Sequence, residues 1–178
     1  MRLISAGEPF DQLIDETQRK AFHLETHDDY RAANETVALH AWLADETSDP
    51  AGDWFAPWAE QVRATVARGV VMQRARIVSE PHTAYTRYLL ALSEYNVAAG
   101  EDVRYLPRSD ADPADVGAED FWLLDDRTVA YSVFDADGFW VGAAVTADPE
   151  LVRYATSIRD RVWAAAIPFA HYISRCRA

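Results

Sequence analysis

Residues 121–146, FWLLDDRTVAYSVFDADGFWVGAAVT, read as three short strands joined by two tight turns. Asp125-Asp126-Arg127 separates the first run from the second, and Asp135-Ala136-Asp137-Gly138 separates the second from the third. Asp and Gly gather where a chain reverses, because Asp bonds its own backbone and Gly accepts positive φ. Val129, Tyr131 and Val133 alternate with Thr128, Ala130 and Ser132, and Phe139, Val141, Ala143 and Val145 repeat the period of two. That period marks a strand with one buried face. Phe121-Trp122-Leu123-Leu124 is apolar on both faces and belongs nearer the sheet centre.

Working outward, Asp148-Pro149-Glu150 starts a helix whose face of Leu151, Ala155, Ile158, Val162 and Ala165 runs to Pro168. Upstream, 101–106 is a strand and 107–118 an acidic loop. A helix over 83–98 carries Tyr85, Tyr88, Leu89 and Leu92 inward and is closed by Gly100. Residues 70–79 form a strand with Met72, Arg74, Arg76 and Val78 on one side. The strand–helix–strand order favours two parallel neighbours with a right-handed crossover. Further back come a helix over 54–68, a loop over 47–53, a helix capped by Asp28 or Asp29 and reaching Asp45, an edge strand over 21–26, and a short helix over 9–18.

The fold class is therefore α/β, with α+β as the alternative: a mixed sheet with a C-terminal antiparallel meander, covered by helices. Residues 1–69 are expected to be a mostly helical portion with one short strand, and 70–178 an α/β core, the two forming one continuous domain.

Composition narrows the function classes. In 178 residues, 49% are hydrophobic, with six Trp, eight Tyr and seven Phe, which is enough for a packed core despite a net charge of −12. That charge argues against direct nucleic-acid binding through phosphate neutralisation and against an anionic membrane surface. An acidic surface suits a basic protein partner, though solubility explains it as well. Cys176 is the only cysteine, so no internal disulfide forms, and a reducing cytoplasm is expected. No apolar run approaches a membrane span.

Three constellations carry chemistry. His23, Glu25 and His27 share one face of a strand and form a candidate zinc or iron set; the alternative is a polar outer face. Arg74, Arg76, Glu80, His82, Tyr85 and Arg87 form the densest polar cluster, a candidate pocket for an anionic ligand held by Arg; the alternative is an ion-pair network joining strand to helix. Asp125-Asp126 and Asp135-x-Asp137-Gly138 invite a calcium reading, but both sit where turns need Asp and Gly, and the closing glutamate is missing. The tryptophans at 122, 140 and 163 read as core. There is no Gly-rich phosphate loop, nucleophile elbow or paired-cysteine motif, and no cofactor is expected.

The segments AFHLETHDDY, RARIVSEPHTAYTRY, NVAAGEDVRYL, DFWLLDD, DPELVRY and RDRVWAAAIP, in this order and spacing, resemble an uncharacterised actinobacterial family, domain of unknown function 6879. Its members are often encoded beside helix-turn-helix regulators, so the resemblance implies a regulatory or accessory role with such a regulator as partner. Members commonly carry an acidic residue after the TAYTRY-like segment, where this chain has Leu89-Leu90. The order from Val70 to Pro168 is also similar to one half of a phospholipase D-like domain. Enzymes of that fold need a His-x-Lys pair, and here the residues two positions after each His are Glu25, Asp29, Trp42, Ala84 and Ile173. The resemblance then implies a non-enzymatic binding module, with a small-molecule sensor or enzyme around residues 74–88 as the alternative.

Overall fold

The computed structural model describes residues 1–32 and 35–176. One eight-stranded mixed sheet runs through it, in the order β1-β7-β6-β5-β2-β3-β4-β8. The strands are β1 (Arg2–Ser5), β2 (Lys20–Glu25), β3 (Val71–Val78), β4 (Asp102–Pro107), β5 (Phe121–Leu124), β6 (Thr128–Phe134), β7 (Trp140–Thr146) and β8 (Ile167–Pro168). The helices are α1 (Glu8–Asp15), α2 (Thr36–Ala44), α3 (Gly52–Ala67), α4 (Ala84–Ala99), α5 (Pro113–Val116), α6 (Pro149–Ala165) and α7 (Phe169–Cys176). The α/β mixed sheet expected from the pattern is present.

The meander β5-β6-β7 is antiparallel throughout. Its first turn holds Asp125 and Asp126 at φ 54° and 57°, and Arg127 N–H closes onto Leu124 C=O at 3.0 Å. Successive positive φ values give a hairpin turn the backbone twist that matches right-handed strands, and Arg127 completes the three-residue connection to Thr128. Asp125 does more than turn: its carboxylate accepts from the backbone N–H of Gln18, Arg19 and Lys20 at 2.9, 2.7 and 3.0 Å, which fixes where β2 starts. In the second turn, Asp135 Oδ1 accepts from the N–H of Asp137 and Phe139, both at 2.9 Å, so the carboxylate is spent on the turn.

β3, α4 and β4 form a parallel pair with a helical crossover. Thr83 caps α4 by accepting from Thr86 N–H at 3.0 Å, and Gly100 closes it at φ 118°. Asp148 caps α6 through the N–H of Glu150 and Leu151 at 2.8 and 3.2 Å, with Pro149 in the first turn.

Four expectations need correction. The strand over 21–26 is not at an edge: β2 lies between β5 and β3, antiparallel to one and parallel to the other. Its alternating polar side chains resemble a solvent face only until the opposite strand is known. A second N-terminal strand, β1, pairs antiparallel with β7. Asp28 caps no helix; it accepts from Ser79 N–H and Oγ–H at 2.8 and 2.6 Å and from Arg108 Nη2 at 3.1 Å. α2 starts only at Thr36. The acidic loop 107–118 contains α5, capped by Asp112.

The sheet divides the core in two. On one face Ala21, Met72, Trp122, Leu124, Ala130, Ala143 and Val145 meet Phe10 and Ile14 of α1, Trp42 of α2, Phe55 and Val62 of α3, and Tyr88 and Leu92 of α4. On the other, Phe22, Leu24, Ala75, Ile77, Phe121, Leu123 and Val129 meet Ala155, Ile158 and Val162 of α6. Helices on both faces of a mixed sheet give three layers.

Candidate functional site

The first face is not uniformly apolar. At its middle, β2 presents His23 and Glu25, and β3 presents Arg74 and Arg76 directly opposite, paired His23 to Arg74 and Glu25 to Arg76. β4 places Tyr105 opposite Arg76, and β5 places Trp122 opposite His23. Cross-strand neighbours on one face are within bonding reach, and here they bond. Glu25 accepts from Nη1 of Arg74 and from Nε of Arg76. Arg74 Nε donates to Glu101 Oε2 at 2.8 Å, and its Nη1 to His23 Nδ1 at 2.7 Å. Arg76 Nη1 donates to Ser93 Oγ at 2.7 Å and Tyr105 Oη at 3.1 Å. Glu101 also takes Trp58 Nε1–H at 2.8 Å and Asn96 Nδ2–H at 2.7 Å. Two guanidiniums and two carboxylates thus neutralise one another where Arg74, Arg76 and Glu101 are 6%, 3% and 3% exposed.

Burial opposes ionisation in this network and the partners override it. Arg76 and Arg74 hold the Glu25 carboxyl well below the usual range against the cost of desolvation, and Arg74 does the same for Glu101. His23 goes the other way. Burial, aided by Arg74, lowers it to about 4, so it is neutral at pH 7. Because Nδ1 accepts from Arg74, the proton sits on Nε2. The ring stacks on Trp122 with centroids 4.2 Å apart, and Arg74 lies over Trp58 and Trp122 at 5.8 and 5.6 Å.

Above this floor is a cavity of about 880 Å³. α3 contributes Trp54, Phe55 and Trp58; α4 contributes Tyr85, Leu89 and Leu92; α1 contributes Phe10; and Phe134 and Trp140 come from the β6–β7 hairpin. Tyr30 and Glu35 enter from the strap between β2 and α2. Tyr30 Oη donates to Asp120 Oδ2, whose other oxygen takes Thr26 N–H and Oγ1–H, each at 2.8 Å, and faces His27 Nδ1 at 3.2 Å. Tyr85 Oη donates to Glu35 Oε1. Burial raises Glu35 to about 7 despite that bond.

The residues singled out from sequence are distributed as follows. Arg74, Arg76 and Tyr85 line the cavity. Glu80 and His82 sit apart from it: Tyr172 Oη of α7 donates to Glu80 Oε1 at 2.6 Å and lies 3.1 Å from His82 Nε2. Arg87 is on the surface, paired with Glu46 at 3.1 Å. His23 and Glu25 come within 3.3 Å, but both Glu25 oxygens are taken by arginines and His27 lies past the end of β2, on Asp120. Among the described residues no group of three or more His, Cys, Asp or Glu is arranged to hold a metal ion. The sequence reading missed Glu101, Asp120, Tyr30 and Glu35. A lone acid just before a strand or inside a loop carries no local signal; only complementarity with the arginines of β3 could have pointed to Glu101.

Fold and cavity define the class: a three-layer α/β domain with a ligand-sized cavity between its sheet and its helices. The chain belongs to the family described as Domain of unknown function (DUF6879), whose model matches residues 8–174. Among curated proteins none matches it by sequence. Two solved structures are similar. One is TrmBL2, an archaeal chromatin protein described as showing a novel mode of DNA binding: 11% identity, TM-score 0.50, 94% of this chain and 55% of that one. The other is NucT from Helicobacter pylori: 11% identity, TM-score 0.55, 94% of this chain and 97% of that one. The chain thus spans about half the length of TrmBL2.

This likeness overturns the exclusion of direct nucleic-acid contact drawn from charge. A DNA-binding chromatin protein shares the fold, and a net charge of −12 sums over the whole surface without describing any one patch of it. Among the described residues no helix is long and apolar enough to cross a membrane.

Proposed function

We propose that this domain is a ligand-binding regulatory module and that the cavity between the sheet and α3–α4 receives a small organic molecule. The observation that carries the reading is the cavity itself: about 880 Å³, walled by aromatic side chains and floored by charges that neighbouring residues already neutralise. Ligand sites are concave, largely apolar, and hold few polar groups fixed in place before the ligand arrives. The floor suits a binding role better than a catalytic one, because its ionised groups are engaged with each other. The domain is read as a phospholipase D-like half without its chemistry, supported by the layer order and by the absence from the sequence of any His followed two positions on by Lys.

The expected anionic ligand rested on free arginine charge, and that charge is met by Glu25 and Glu101. A thermal-shift screen with metabolites and with duplex DNA tests the reading. A cavity ligand at 100 times its Kd stabilises by about 2.7 kcal/mol, or roughly 5–11 °C for a chain of this size. Ser132→Trp, which fills the cavity from β6, is expected to abolish the shift. Shifts with DNA alone, unaffected by Ser132→Trp, would place the binding surface elsewhere and end this reading.

A further inference from the structure

We infer that the cavity's ligand is an organic cation, an amine or amidinium carried on a flat apolar body. The inference rests on the cavity being a ligand site and adds the sign of the charge. Within the lining, Arg74 and Arg76 are neutralised by Glu25 and Glu101, and His23 is a neutral ring. The remaining guanidinium is Arg31, exposed and lying over Phe139 at 5.9 Å. Against it stand Glu35 and Asp120 inside and Asp11, Asp15 and Glu60 on α1 and α3. Asp120 is held by Tyr30 and Thr26, neutral donors that leave its charge in place, and by His27 Nδ1 at 3.2 Å, which offsets that charge only when the ring is protonated.

Glu35 is the independent pointer. It is 6% exposed and lines the cavity, and among the described residues its carboxylate takes one hydrogen bond, from the Tyr85 hydroxyl onto Oε1. An ionised carboxylate with so little exposure and a neutral hydroxyl as its partner is costly, and a ligand N–H⁺ donor would meet its charge. Trp54, Phe134 and Trp140 also line the cavity, and aromatic rings favour a cation over an anion.

The probes are tryptamine and indole-3-propionate, which share a ring system and carry opposite charge, titrated by calorimetry at pH 8. That pH is above the value near 7 to which burial lifts Glu35, facing Tyr85 and Tyr88 on α4, Glu25 on β2, Arg76 on β3 and Asp29 on the strap. Tryptamine is expected to bind at least tenfold tighter than the propionate. Glu35→Gln is expected to remove that preference while Ser132→Trp removes binding altogether. Equal or tighter binding of the propionate overturns the inference and leaves the cavity reading standing. Binding of neither probe, or binding that survives Ser132→Trp, overturns both.

Discussion

Glu25→Gln isolates what the buried charges contribute to stability. The substitution keeps size and shape and removes one negative charge shared by two guanidiniums. Arg74 retains Glu101 at 2.8 Å, but Arg76 is left with only neutral oxygens, those of Ser93, Tyr105 and the new amide. One positive charge then stands uncompensated on a residue 3% exposed. Breaking a buried pair in this way costs about 3–5 kcal/mol, against a total of roughly 5–15 kcal/mol for a domain. At about 2–4 °C per kcal/mol, Tm should fall by roughly 6–20 °C. The assays are thermal and urea unfolding followed by circular dichroism, with Tm and Cm falling and m unchanged. The double variant Glu25→Gln/Arg76→Met removes the orphaned charge as well, so it should be less destabilised than the sum of the singles by about 1–3 kcal/mol. A Tm within 2 °C of the parent, or strict additivity, would refute the account of the floor as a mutually dependent charge set.

Three further outcomes are expected. His23 has its folded value lowered from 6.5 to about 4, so the stability it contributes is present above pH 6.5 and is lost as pH falls toward 4, in all about 3 kcal/mol. Glu35 is raised from 4.5 to about 7, so its contribution is present below pH 4.5 and is lost as pH rises through 7, by a similar amount. The two oppose each other. The stability of Glu35→Gln relative to the parent should therefore rise with pH between 4.5 and 7, and that of His23→Gln should fall between 4 and 6.5; in denaturation series a falling slope for the first would contradict the Glu35 assignment, and a rising slope for the second the His23 assignment. Gly142 sits at φ 149°, where an added Cβ would lie 2.0 Å from Ile4 C=O, so Gly142→Ala should speed amide exchange across β1 while leaving the cavity floor protected. Asp125→Ala removes the carboxylate that accepts from three N–H groups at the entry to β2 and should cost about 1–3 kcal/mol, read from the urea midpoint.

The parts of the fold legible in the sequence were those with local causes. Turn chemistry at Asp125-Asp126 and Gly138, period-two alternation in β6 and β7, and capping at Thr83, Gly100 and Asp148 are each decided within a few residues. β1 escaped because RLIS is four residues long and mostly exposed, with no pattern to read. β2 was placed at an edge because HLE shows polar groups at period two; the face is buried only because RAR of β3 presents matching charges 51 residues later. The site was legible in part for the same reason. Arg74, Arg76 and Tyr85 stand on periodic elements, whereas Glu80 and His82 were grouped with them by proximity in sequence and pack against Tyr172 of α7 instead.

The position of β2 has a consequence for the nascent polypeptide. Both of its neighbours come later in the chain, and the further one, β5, ends at Leu124. At a synthesis rate of about 5–20 residues per second, roughly 5–20 s pass between the emergence of the two segments. During that interval Phe22 and Leu24 have no β5 to cover them, and Lys20–Glu25 has an open edge ready for any extended segment that arrives first. The chaperone demand of this protein should thus stay raised until residues 121–124, and then the covering face of α6, clear the ribosomal tunnel.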